Sequence, residues 1–181
     1  MNYAAIKNCD IANGPGVRVS LFVSGCTHHC KGCFNEVAWD FDYGQLFTQQ
    51  TVESILAMLE PWHVKGITLL GGEPFEPQNQ PAIVDLLRQI KTRYPEKTVW
   101  AFTGYLFDRD ILPGKLGDPE ITREFIIFVD VLVDGPFIEA KKDLMLRFRG
   151  SSNQRLIDVK KSLATGEVVL WEDWQGNKRG I

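Results

Sequence analysis

Cysteine and histidine are scarce in this chain, at four and three residues, and no stretch approaches the ~20 consecutive apolar residues of a membrane span. The opening MNYAAIKNCDIANGPG carries no positively charged leader followed by an apolar run. A cytoplasmic protein with no membrane attachment is expected on both counts. An excess of one charge is also missing, since 20 Lys and Arg stand against 23 Asp and Glu for a formal net charge of -3. The two signs are interspersed, so no basic stripe suited to nucleic acid runs along the chain, although a local basic patch over residues 141–155 stays open. After Cys33 there is no further cysteine, which leaves neither a disulfide framework nor ligands for a second metal cluster.

What is present suffices for one compact domain over residues 1–181, with 44% hydrophobic and 11% aromatic residues to build a core. After the turn NGPG, Val17, Val19, Leu21 and Val23 alternate with Arg18, Ser20 and Ser24, the period of a strand. Thr48 is placed to cap a helix whose Val52, Ile55, Leu56 and Leu59 share one face, with Pro61 ending it. GITLLGGEP reads as a short buried strand, residues 67–70, running into a glycine turn. Asn79 and Pro81 open a second helix carrying Ile83, Leu86, Leu87 and Ile90, stopped near Tyr94 and Pro95. TVWAFTGY is the next strand and turn, and PEITREFIIF a short helix before the strand DVLVDG. RLIDV and EVVLW are readable as a terminal hairpin. This alternation predicts an α/β fold with a mostly parallel sheet, because consecutive parallel strands need crossover helices. Ligands in such folds sit beyond the C-terminal strand ends, where the cysteine loop, GGEP, TGY and Asp134 all fall.

The segment SGCTHHCKGCFNE places Cys26, Cys30 and Cys33 in a C-x3-C-x2-C array, so one compact loop can turn three thiolates toward a common point. Soft sulfur ligands select zinc or an iron–sulfur cluster. A structural zinc site would close its fourth position with His28, His29 or the remote Cys9. His28 and His29 lie inside the loop, awkwardly for the same metal, and read as exposed loop residues, while Cys9 reads as a small packed hydrophobe sooner than as a ligand. A cubane on three cysteines instead leaves one iron without a protein ligand, open to substrate. Gly71, Gly72, Glu73 and Pro74 read alone as a turn, yet glycines let backbone approach a ligand and Glu73 can accept from an ammonium group. Phe34 is either packing or a contact to a bound group. Thr103 and Asp134 are either turn residues or hydrogen-bonding partners of a ligand.

This cysteine spacing at the end of a strand resembles the radical S-adenosylmethionine (SAM) superfamily. The resemblance implies an incomplete β/α barrel, a 4Fe-4S cluster on Cys26, Cys30 and Cys33, and SAM chelating the unique iron through its amino and carboxylate groups. It further implies that one electron from the reduced cluster breaks the C5'–S bond, giving methionine and a 5'-deoxyadenosyl radical; the cofactor carries this chemistry and the protein aims it. By the same resemblance Gly71, Gly72, Glu73 and Pro74 bind the SAM amino group, Phe34 sits beside the cluster and adenine, and Thr103 and Asp134 contact the SAM amino acid or ribose. No general base is required, so no catalytic acid or base is assigned. NGPGVRVSLFVSGC, GCFN, PQN, TGY, VDVLVDGPF and RGSSNQRLIDV narrow the resemblance to the glycyl-radical-enzyme activases, in the branch serving anaerobic ribonucleoside-triphosphate reductase. That branch implies a protein substrate, a glycine of the reductase, and a flavodoxin-type electron donor. Two alternatives stand beside it: a small radical SAM enzyme acting on a small molecule, such as a deazaguanine-forming synthase, and a non-catalytic metal-binding module. Trp171 and Trp174 are candidates for partner contact or for packing, and the tail VVLWEDWQGNKRGI has no assigned role.

Overall fold

Alternation along the chain translates directly into two faces of a sheet. In a computed structural model that describes residues 1–172, Val17–Val23 forms a strand, β2, with Val19, Leu21 and Val23 in the main core and Arg18, Ser20 and Phe22 on the opposite face. The remaining strands are β1 (Asn2–Asp10), β3 (Gln45–Leu46), β4 (Val64–Gly71), β5 (Thr98–Phe102), β6 (Val131–Asp134) and β7 (Arg155–Asp158). The helices are α1 (Gln49–Leu59), α2 (Gln80–Arg93), α3 (Pro119–Phe128) and α4 (Val159–Thr165).

All seven strands share one sheet in the order β3-β1-β2-β4-β5-β6-β7. β2, β4, β5 and β6 pair in parallel, linked by crossovers that carry α1, α2 and α3. The outer pairs, β1 with β2, β3 with β1 and β7 with β6, are antiparallel, which leaves five of the seven strands pointing the same way. The two ends of the sheet do not meet, so the barrel is not closed. The predicted mostly parallel α/β architecture is therefore present.

Three elements depart from the sequence reading. β1 and β3 were not anticipated, because β1 has mixed, half-exposed residues and β3 only two exposed ones, so neither shows a hydrophobic period. The terminal hairpin does not form. RLIDV is β7, but it pairs with β6, α4 follows it directly, and EVVLW contributes only an isolated bridge from Leu170 to Ile157.

In register across the parallel strands, Leu21, Leu69, Ala101 and Leu132 make one apolar row beneath the helices. Val52, Ile55 and Leu59 of α1, Ile83, Leu86 and Ile90 of α2, and Phe125 of α3 cover it, with Phe75 stacked on Phe125 at 4.1 Å. α1 starts where Thr48 caps it, exchanging hydrogen bonds with Thr51.

The opposite face is more polar and is organised by Arg18, which is 1% exposed. Its Nε donates to Thr68 Oγ1 at 2.7 Å, and its Nη2 donates to the carbonyls of Ile67 and Thr98 at 2.7 and 2.9 Å. The guanidinium also lies over Trp100. Gly14 of the NGPG turn crosses this group at φ +135°, and a Cβ there would meet Arg18 Cδ at 2.8 Å. The Gly-Pro-Gly-x-Arg pattern thus belongs to a backbone turn wrapped on a buried cation. Among the described residues no helix is long and apolar enough to cross a membrane.

Candidate metal and cofactor site

β2 ends at Val23, and the chain turns sharply at Gly25 (φ +93°), where a Cβ would fall 2.2 Å from the Phe41 ring. The cysteine loop that follows is tied down at both ends. Gly25 N donates to Ala38 O at 2.8 Å and Cys26 N to Trp39 O at 3.1 Å, while Cys33 N donates to Cys30 O at 3.1 Å. Thr27 donates from both its amide and its hydroxyl to Glu76 Oε1, at 2.8 and 2.6 Å. Held this way, Cys26, Cys30 and Cys33, none of them in a disulfide, line one cavity of about 450 Å³, the size of an ordinary small-molecule site.

Glu73 joins the loops around that cavity. Its side chain is buried, Oε1 accepts from Phe75 N at 2.9 Å, and Oε2 accepts from Gly104 N at 2.7 Å. His28 Nε2 lies 3.1 Å from the same Oε2. One carboxylate therefore bridges the cysteine loop, its own GGEP turn and the TGY turn after β5. Burial opposes a charge on His28, but the hydrogen bond and charge of Glu73, with the charges of Glu76 and Asp110, outweigh it and raise its pKa. At Gly72 the GGEP turn presses on the backbone of the cysteine loop: a Cβ would sit 2.5 Å from Gly25 O and 2.9 Å from Ala38 O.

The donor set suits an iron–sulfur cluster better than a single ion. Among the described residues, no group of three or more His, Cys, Asp or Glu is arranged to hold one metal ion. A cubane asks for something different, each thiolate on its own iron around a shared space. Of the candidate fourth ligands, His28 lines the cavity but has its Nε2 turned to Glu73 and its ring against Tyr105, centroids 4.3 Å apart, whereas His29 packs its ring edge-on against Trp39 at 4.6 Å and does not line the cavity. Cys9 is exposed on β1 and does not line the cavity. Burial first, then the charges of Glu73 and Glu76, push the Cys26 thiol up to about 12, and burial raises Cys30 as well. Cationic iron is what such sites need to hold these groups as thiolates.

A family model described as a 4Fe-4S single cluster domain matches residues 12–157. Anaerobic ribonucleoside-triphosphate reductase-activating proteins from Enterobacteria phage T4, Vibrio cholerae and Escherichia coli K12 are 44%, 40% and 42% identical to this chain. These matches cover 86%, 85% and 85% of the chain and 93%, 96% and 96% of the relatives. The chain belongs to the anaerobic ribonucleoside-triphosphate reductase-activating protein family.

In this activating-protein fold the remaining expected residues separate by position. Gly71, Gly72 and Glu73 line the cavity, while Pro74 is buried behind them. Phe34 lines the cavity and is 82% exposed, so it is not a core residue. Thr103 also lines it, its amide donating to Val133 O at 2.9 Å and its hydroxyl accepting from Tyr105 N at 3.1 Å. Asp134 is fully buried outside the lining. Its oxygens accept from Phe107 N at 2.9 Å and from Arg155 Nε and Nη2 at 2.9 and 2.5 Å. Trp171 packs on Trp100 at 5.0 Å, and Trp174 lies outside the described residues.

Three residues around the cavity take roles that the sequence does not announce. Glu76 holds Thr27, His28 meets Glu73, and Asn79 Nδ2 donates to the carbonyls of Ser24 and Glu73 at 2.9 and 3.0 Å. Asn79 sits at the N-cap of α2 as expected, but its side chain makes no cap bond and serves the cysteine loop instead. The available signal was PQN following GGEP, a polar cluster too close to the motif to be only a helix start.

Proposed function

We propose that this chain is the activating enzyme of an anaerobic ribonucleoside-triphosphate reductase, a radical SAM protein of one domain over residues 1–181. The observation that carries this reading is that Cys26, Cys30 and Cys33 share a cavity with the GGE segment, that His28 in the same cavity turns its Nε2 to Glu73, and that His29 and Cys9 do not line it. Three cysteine sulfurs, with the one histidine of the cavity bonded to Glu73, fit a 4Fe-4S cluster with one open iron. Bound there, the reduced cluster and SAM would supply a 5'-deoxyadenosyl radical that takes the α-hydrogen of a glycine in the reductase, leaving a glycyl radical.

The chain's own residues bind and orient. Cys26, Cys30 and Cys33 hold the cluster, and Gly71 and Gly72, which have no room for a Cβ against the Phe22 and Gly25 backbones, seat the GGEP turn so that it faces the methionine amino group. Glu73 keeps the three loops in register with its carboxylate while its turn faces the ligand. Thr103 and the exposed Phe34 present a hydroxyl and a ring to the cofactor from the cavity wall. Asp134 serves from outside the lining, by bracing Arg155 and the turn at Phe107. A flavodoxin-type protein as reductant, cytoplasmic residence, and a protein rather than nucleic-acid or membrane partner belong to the same reading.

The test is anaerobic. The reconstituted protein is mixed with SAM, dithionite and the cognate reductase, and electron paramagnetic resonance is used to look for a glycyl radical on the reductase. The reading expects that radical, about four irons per chain, and no 5'-deoxyadenosine from a folded Cys30→Ala variant. SAM cleavage by that variant would refute it.

A further inference from the structure

The motif RGSSNQR borders the cavity through Arg149, Gly150 and Gln154 and makes a dense set of bonds. Gln154 Oε1 accepts from Gly150 N and Ser151 N at 2.8 and 3.1 Å, and its Nε2 donates to Gly135 O at 3.1 Å. Asn153 Nδ2 donates to Pro136 O at 2.8 Å, and Ser151 Oγ accepts from Ile138 N at 3.2 Å. Both ends of residues 136–150 are thereby stapled to one short segment. Lys31 of the cysteine loop reaches Glu139 at 3.2 Å, adding an exposed tie on the near side.

The stapled strap forms a wall of the cavity through Phe137, Lys142, Leu144, Phe148 and Arg149. It is held under strain. Phe148 has φ +57°, a left-handed backbone that side chains rarely adopt, and its ring packs edge-to-face on Trp100 at 5.3 Å. At the far end, Asp143 Oδ1 accepts from Met145 N at 2.8 Å and folds the tip so that Leu144 and Met145 are 87% and 89% exposed. A strained, stapled loop that offers two adjacent large apolar side chains to water beside a cavity mouth has the character of a recognition element. Among the described residues Lys142 and Arg149 enter no ion pair, which leaves their charge for an acidic group.

We propose that the strap of residues 136–150 is the docking element for the reductase. Leu144 and Met145 pack on an apolar side chain of the segment that carries the target glycine, and Lys142 and Arg149 pair with carboxylates flanking it. The proposal rests on the activating-enzyme reading above. A backbone glycine reaches a recessed site only as part of an extended segment, and a rigid rim with an apolar tip and basic flank gives that segment register.

The experiment compares wild type, Met145→Glu, Met145→Leu and Lys142→Glu as reconstituted full chains under anaerobic conditions. Three quantities are measured: affinity for the cognate reductase by sedimentation at two salt concentrations, 5'-deoxyadenosine formed without reductase, and glycyl radical yield. Met145 does not line the cavity. Met145→Glu is expected to bind the reductase about tenfold or more weakly and to lose radical yield at limiting reductase, with unaltered SAM cleavage in its absence. Met145→Leu is expected to behave as wild type, and Lys142→Glu to bind weakly with a reduced salt dependence. Wild-type affinity in Met145→Glu overturns the proposal. So does a Lys142→Glu variant that loses SAM affinity and keeps the reductase, which would assign the basic flank to the cofactor. Wild type that cleaves SAM but leaves the cognate reductase without a radical overturns the activating-enzyme reading itself, and with it the docking element, before any variant is compared.

Discussion

Glu73 has both carboxylate oxygens committed to protein donors, Phe75 N on one side and Gly104 N with His28 on the other. A negative charge after a glycine pair first suggests a group aimed at a ligand's ammonium; in the folded chain its charge is spent on holding three loops at fixed separation. Glu73→Ala removes the acceptor for two part-buried or buried amides, and each stranded donor costs about 1–3 kcal/mol. The variant is expected to unfold at lower urea concentration, with iron content and SAM binding falling together. Unchanged stability with selective loss of SAM affinity would show instead that the carboxylate meets the ligand directly. The cysteines and glycines were legible because each acts through local geometry, a loop of eight residues or a single φ. Glu76 and Asn79 were not, since what they hold lies about fifty residues earlier in the chain.

β7 adds an ion pair across its antiparallel pairing with β6. Arg155 reaches Asp134, paired with it in register, and also Asp108 in the turn after β5, at 2.6 Å. The hydrogen bond from Arg155 holds the Asp108 carboxyl below its ordinary value near 3.8. A carboxyl depressed in the folded state stabilises that state above its unfolded pKa, and the contribution is lost as pH falls through the folded value. Arg155→Gln also strands the buried Asp134 charge, a loss of at most about 3–5 kcal/mol and less where the partly exposed Arg155 is screened. The stability difference between wild type and Arg155→Gln, measured by denaturant titration, is therefore expected to be large at pH 7 and to shrink below about pH 4. A gap independent of pH would mean that the pair contributes packing and not charge.

The molecule as a whole separates its core from its chemistry. The row Leu21, Leu69, Ala101 and Leu132 and the helices above it occupy one face of the sheet, whereas the cavity lies at the strand ends with its walls drawn from loops and the opposite face. Removing iron is thus expected to leave far-UV circular dichroism intact and to lower the melting temperature modestly, by the linkage of a ligand that binds only the folded state. Collapse of the spectrum on chelation, as in a zinc finger, would show that the metal organises the fold itself.

Short-range patterns were enough to reveal the α/β alternation, the capped helices, the three-thiol loop and the glycine turn, because each depends on neighbours within a few residues. Folding alone decided that Asp134 is a buried brace, that Asn79 serves the cysteine loop and not its helix, and that residues 136–150 stand as a stapled wall beside the thiols. The physical reason is that a carboxylate or amide takes its role from whichever donors and charges arrive within about 3 Å, and those arrive from strands and turns far away along the chain.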